Sequence, residues 1–152
     1  MKIRNLITII LVLAIVSCQT DEKPEMSSLV KQEKHKDGIF LHISSGYENQ
    51  QKISMALSLA VKMTETKDVA VFFDIDGVKV LAKDAEDIQM EHFFTVQNAL
   101  DTLIKKNVLI MACPMCLAQA EINANNLKEG ITIAEKEKFF NFTKGRILTL
   151  SY

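Results

Sequence analysis

Short apolar runs alternate along this chain with segments in which apolar residues recur at helical spacing. Each run is bounded by turn-forming residues and predicts a buried strand, whereas residues 49–66 and 88–106 predict amphipathic helices. Strands and helices that alternate in this way form a parallel sheet covered on both faces. The sequence therefore predicts an α/β fold with strands at residues 39–43, 69–73, 108–112, 131–133 and 146–151.

Two segments between these elements carry weaker signals. Residues 78–81 predict a short strand or an extended arm, because Val and Leu follow the turn at Asp74 to Gly77. Residues 135–141 predict a short helix.

The third strand runs directly into a Cys-Pro-x-Cys sequence. Pro114 suits the first position of a helix, so Cys113 falls at the cap and Cys116 in the first turn. A helix N-terminus favours a thiolate, and we expect Cys116 to lie deeper, against the apolar sheet, with the higher pKa. The spacing predicts a dithiol in which Cys113 is the nucleophile and Cys116 the resolving thiol. That both are ordinary buried cysteines remains the alternative.

The amino terminus has the pattern of an export signal. Lys2 and Arg4 precede an apolar run at residues 6–16, which is too short to span a membrane. The run ends in Ile15-Val16-Ser17-Cys18, which resembles the bacterial lipobox. The resemblance implies a lipid on Cys18 and divides the chain into a lipoprotein signal peptide (1–17), a polar tether (18–37) and a domain (38–152).

This assignment accounts for the three cysteines. If Cys18 carries lipid, only Cys113 and Cys116 remain to pair with each other. We expect a protein of the bacterial cell envelope, anchored to a membrane with its domain outside the cytoplasm. A net charge of −1 argues against a nucleic-acid partner.

Polar residues follow the first two strands, where ligands of parallel sheets usually bind. Ser44 and Ser45 follow one strand and Asp74 the next, and they are candidate substrate-binding residues. An ordinary turn role for them remains open. No strand is followed by a glycine-rich phosphate loop, and we expect no cofactor.

Three segments together resemble the DsrE-like sulfur-relay domains, in particular the subgroup with two cysteines. The resemblance implies a three-layer α/β/α domain with a mainly parallel sheet of about five strands, homo-oligomers, and a persulfide carried on Cys113. The segments are residues 39–46 with the helix containing Met55-Ala56-Leu57, residues 69–73 leading to Asp76-Gly77-Val78, and residues 108–122.

Two functional classes follow from the sequence. The first is thiol or sulfur chemistry, either persulfide carriage or dithiol–disulfide exchange with a partner protein. The alternative is a non-catalytic binding module in which the cysteine pair of an oligomer holds a metal or small ligand. A closed zinc site normally needs four ligands, and His35, His42 and His92 are not spaced as ligands, so no metal site is predicted within one chain.

Overall fold

Five parallel strands form one sheet in the computed structural model, which describes residues 35–152. The sheet has the order β4-β3-β2-β1-β5, and the predicted α/β fold is confirmed. The signal peptide, Cys18 and all but the last residues of the tether lie outside the described residues. The strands are β1 (Gly38–Ile43), β2 (Asp68–Phe73), β3 (Leu109–Ala112), β4 (Ile131–Ile133) and β5 (Ile147–Ser151).

Three α-helices connect the first four strands. They are α1 (Gln50–Met63), α2 (Val96–Lys105) and α3 (Pro114–Gln119). The side chain of Asn49 caps α1 by accepting a hydrogen bond from the N–H of Lys52. Short 3-10 helices occupy Tyr47–Asn49, Ile75–Leu81, Ala124–Asn126 and Lys136–Phe139. Within the described residues, no helix is long and apolar enough to span a bilayer.

The helix predicted over residues 88–106 is shorter in the structure, where it spans Val96–Lys105. The backbone of His92 is left-handed, with a φ of 68°, which a continuous α-helix does not allow. Thr95 then caps α2 by accepting a hydrogen bond from the N–H of Asn98. Ile88 is buried as its apolar character suggests, but it belongs to the preceding loop.

Two other predictions also differ from the structure. Residues 78–81 are the end of a 3-10 helix rather than a strand or arm, because the N–H of Gly77 bonds back to the carbonyl of Asp74 at 2.9 Å and the chain coils from there. The helix predicted at 135–141 is a 3-10 helix limited to Lys136–Phe139.

The two faces of the sheet are covered by different kinds of structure. Ile39, Leu41 and Ile43 of β1 are buried in one core with residues of α1 and α2. Phe40 points to the opposite face, where its ring lies 5.5 Å from that of Phe139. The connections from β1 to β4 all run in one direction along the sheet, whereas the connection from β4 to β5 runs back in the opposite direction. Because crossovers between parallel strands are right-handed, this last connection passes over the second face.

Candidate thiol site

Cys113 lies at the carboxyl end of β3 and at the start of α3. Its backbone N–H donates to the carbonyl oxygen of Phe73 at 2.9 Å, so Cys113 still continues the pairing of β3 with β2. Pro114 follows as the first residue of the helix, as its sequence position predicts. Cys113 and Cys116 are both free thiols. The strand, turn and helix predicted around the cysteines are therefore present.

The relative burial of the two cysteines is the reverse of our expectation. Cys113 is 8% exposed, whereas Cys116 is only half-buried. Cys113 remains within the sheet, between buried strands, because its N–H still takes part in the ladder. Cys116 lies one turn further along α3 and borders an open groove. A reactant from solvent therefore meets Cys116 before it meets Cys113.

The pKa of Cys116 is raised above the usual value of a cysteine thiol, although this cysteine is the more exposed of the two. Desolvation against the core residues it packs on is the largest cause, followed by a hydrogen bond with the side chain of Cys113. The negative charge of Asp74 raises the pKa further, whereas a hydrogen bond from the backbone of Ile75 lowers it. Cys116 is consequently a thiol held in contact with its partner cysteine and close to a carboxylate.

A histidine and a carboxylate are hydrogen-bonded to each other at the same edge of the sheet. His42 Nε2 lies 2.7 Å from Asp74 Oδ2, and the hydroxyl of Ser44 lies 3.4 Å from the same nitrogen. The imidazole also stacks on the ring of Phe72, with centroids 5.6 Å apart. Since the strand register pairs His42 with Phe72, the residues two positions on, Ser44 and Asp74, reach the same face of the sheet.

Sequence reasoning missed the role of His42, which it treated as an isolated histidine. The signal was present, because His42 is the second-last residue of β1 and shares its face with Asp74 beyond β2. Of the predicted binding residues, Ser44 and Asp74 meet around this imidazole. Ser45 points elsewhere and is only 6% exposed, so its hydroxyl is shielded from solvent.

The groove beside Cys116 has a volume of about 530 Å³. Two exposed apolar side chains flank its thiol, Met115 at 77% exposure and Ile75 at 60%. Asp76 and Lys79 form an ion pair on the same rim. The groove combines an apolar entrance with a balanced pair of charges, which suits an extended segment of another protein better than a highly charged small molecule.

The described part of the chain contains no set of side chains grouped to bind a metal ion. No three side chains among its His, Cys, Asp and Glu residues are grouped to hold an ion. A structural zinc site would need two further ligands beyond Cys113 and Cys116. Among residues 35–152 of one chain, the two cysteines are therefore not joined by a third His, Cys, Asp or Glu that could share an ion with them.

Comparison with known proteins agrees with the fold. The model of the DsrE/DsrF-like family matches residues 36–146, and the chain belongs to this family. The crystal structure of the YchN protein from E. coli is similar, with a TM-score of 0.59 at 18% identity over 76% of this chain and 99% of that one. A protein of unknown function from Methanobacterium thermoautotrophicum, MTH1491, covers the same shares at 16% identity, with a TM-score of 0.48. No curated protein matches significantly.

Membership in this family supports a sulfur-relay type of domain at a general level. The similarity to the YchN structure supports the α/β fold alone, because the identity is low. What the two cysteines of this chain do is therefore argued from their own surroundings.

Proposed function

We propose that this chain is a lipid-anchored protein of the bacterial cell envelope whose domain carries out thiol or sulfur chemistry at Cys113 and Cys116. One observation carries the proposal. Two free cysteines occupy the cap and the first turn of one helix, and Cys116 borders an open groove, at the edge of a parallel sheet where ligands usually bind. Cysteines that only fill a core do not need access to a groove.

Cys113 is assigned as the nucleophile because the thiolate is the reactive form of a cysteine. Burial raises the pKa of Cys116, so at neutral pH less of it is thiolate than of an ordinary cysteine. Attack by Cys113 needs a donor that reaches past Cys116, the cysteine that lines the groove.

The chemistry balances with a persulfide donor. The Cys113 thiolate attacks the outer sulfur of R–S–S–H, the S–S bond of the donor breaks, and R–S⁻ leaves. Cys116 then attacks the inner sulfur of the Cys113 persulfide and expels HS⁻, which closes the internal disulfide. The sulfane sulfur is reduced and the two thiols are oxidised, and a dithiol protein returns the site to its starting state. With a disulfide donor, the same two steps release two R–S⁻.

Intact mass of the purified full chain tests this assignment. After treatment with the persulfide of a small thiol, the Cys116→Ser variant is expected to gain about 32 Da, because it cannot resolve the Cys113 persulfide. The unsubstituted chain is expected to lose about 2 Da and to release one equivalent of sulfide. Cys113→Ser serves as the matched control and is expected to do neither.

Unchanged masses in both the unsubstituted chain and Cys116→Ser would contradict the proposed chemistry. Retention of a metal ion by the reduced protein would instead favour the binding module. Mass spectra of the same samples give both results, because covalently bound sulfur is retained under denaturing conditions whereas a bound metal is retained only under non-denaturing ones.

A further inference from the structure

One oxygen of Asp74 lacks a hydrogen-bond partner. Oδ2 lies 2.7 Å from His42 Nε2, whereas Oδ1 is buried and unpaired among the residues that the structure describes. Buried carboxylate oxygens are normally satisfied, because leaving one without a donor costs free energy that an exposed one does not. The fold thus keeps a polar atom in an unfavourable setting at the edge of the sheet.

This unpaired oxygen lies in the surroundings of the dithiol. The register pairs Phe73 with Ala112, so Asp74 and Cys113 follow side by side on neighbouring strands. The charge of Asp74 acts on the thiol of Cys116, and the backbone of the next residue, Ile75, bonds to it. Asp74 is therefore held by His42 and lies beside Cys113, the cap residue of the helix that carries Cys116.

We propose that Asp74 accepts the proton of the Cys116 thiol when Cys116 resolves the intermediate on Cys113. His42 holds the carboxylate in place through Oδ2, which leaves Oδ1 free to take the proton directly or through one water. This inference rests on the proposed function, since it concerns the second step of that chemistry. This role would explain why a carboxylate lies near Cys116, because its negative charge alone only hinders formation of the Cys116 thiolate.

The step balances with the groups named. Cys116–SH attacks the Cys113 sulfur of Cys113–S–S–R, the S–S bond to R breaks, and its electron pair leaves on R–S⁻. The thiol proton passes to the Asp74 carboxylate, which becomes a carboxylic acid. That proton then moves to R–S⁻, and the site is left as an internal disulfide with Asp74 ionised again.

Other ionisable groups near the site do not offer an equivalent acceptor. The carboxylate of Asp76 is paired with Lys79, and that of Glu48 accepts hydrogen bonds from the N–H of Gly46. On β1, His42 is occupied by Asp74 itself, and Tyr152 beyond β5 contacts that strand through its backbone. Asp74 is the carboxylate near Cys116 with a buried oxygen left unpaired among residues 35–152.

Reaction of the reduced full chain in detergent with 5,5′-dithiobis(2-nitrobenzoate) separates the two steps. The first thiol to react releases one nitrothiobenzoate, and the resolving thiol releases the second. In Asp74→Asn we expect an unchanged first phase and a second phase slowed at least about tenfold. The slowed phase should rise about tenfold per pH unit, because the thiol must then ionise without help.

The sign of the effect distinguishes this role from simple repulsion. If Asp74 acted only through its charge, its removal would ease ionisation of Cys116 and accelerate the second phase. A second phase that is unchanged or faster in Asp74→Asn therefore overturns the inference. Asp101→Asn is the matched control, since it removes a carboxylate that is already paired, with Lys128, and that does not line the groove, and it should leave both phases as they are.

Two further measurements keep the outcome decisive. If Asp74→Asn does not fold, His42→Asn removes the group that holds the carboxylate and should also slow the second phase, and an unaltered second phase would contradict the proposal. In the unsubstituted chain, a missing second phase, or one that persists in Cys116→Ser, overturns the resolving role of Cys116 and this inference with it. If the unsubstituted chain shows a normal second phase that does not change in Asp74→Asn or His42→Asn, the inference is overturned and the resolving role of Cys116 is not.

Discussion

Ile75 has a left-handed backbone, with a φ of 46°, and its backbone makes a hydrogen bond to the thiol of Cys116. β-Branched residues rarely adopt this conformation, because their side chains then crowd the backbone. The side chain of Ile75 is 60% exposed, so packing does not explain the choice. Strain of this kind is usually retained where it serves a site, and here the strained residue lies against the candidate thiol site.

Replacing Ile75 by Gly should relieve this strain. Left-handed geometry costs an L-residue about 1–2 kcal/mol, and the added freedom of Gly in the unfolded chain offsets about 0.5–1 kcal/mol. We expect Ile75→Gly to be unchanged or up to about 1 kcal/mol more stable in urea unfolding, on the same balance. Ile75→Ala is the matched control, since it removes most of the side chain but keeps Cβ. If the Ala variant proved the more stable one, backbone strain at this position would be ruled out.

Alkylation should distinguish the two thiols. In Cys113→Ser, the remaining Cys116 is expected to react slowly at neutral pH and to gain about tenfold per pH unit, because burial and Asp74 raise its pKa. In Cys116→Ser, the remaining Cys113 is expected to react quickly near neutral pH. Rates measured with iodoacetamide from pH 6 to 10 provide the test. Equal rates at every pH would remove the basis for treating Cys113 as the nucleophile.

Cys18 should determine where the protein resides. The lipobox-like sequence ending at Cys18 leads us to expect that the full chain sediments with membranes and that Cys18→Ser does not. Cys113→Ser is the appropriate control, because it removes a cysteine without touching the attachment position. Persistent membrane association of Cys18→Ser after a carbonate wash would disprove the lipid anchor.

The aromatic cluster on the second face of the sheet should contribute to stability through Phe72. Its ring lies 5.0 Å from that of Phe139 and 6.5 Å from that of Phe40. Because Phe72 is only half-buried, we expect Phe72→Ala to lower the free energy of unfolding by about 2 kcal/mol, below the range for fully buried rings. Phe140→Ala, which removes a ring that is 72% exposed, should stay within about 0.5 kcal/mol. Similar losses in both variants would mean that the cluster is not what stabilises this face.

The strands were predictable because each apolar run has its own boundaries, and parallel order followed from their alternation with helices. A local signal failed at His92, whose left-handed geometry delays α2 until Val96. Ile88 illustrates the reason for this error. It fits the helical repeat of apolar residues and is buried, but it lies in a loop, so the repeat alone does not distinguish a helix from a loop that packs on the core.

At the site, the cysteines were predictable from their spacing, whereas the hydrogen bond of His42 with Asp74 could be predicted only by pairing β1 with β2 in the correct register. These two residues are separated by 32 positions, and only the register of β1 with β2 brings them together. The burial of Cys113 was also out of reach, because it depends on a hydrogen bond from its N–H to Phe73 across the sheet. Both features arise from pairing between strands, which composition and periodicity do not specify.

The position of β5 beside β1 has a consequence for the order of folding. Asp37 and Arg146, which bridge the starts of these strands, are 109 positions apart, so β1 keeps one open edge until nearly the whole chain is available. Contacts of such long separation form late, and an open edge in the meantime invites pairing with other molecules. The last strand therefore covers the edge of β1 and becomes the edge strand in its place, and a nascent or truncated chain without it would be prone to aggregate through β1.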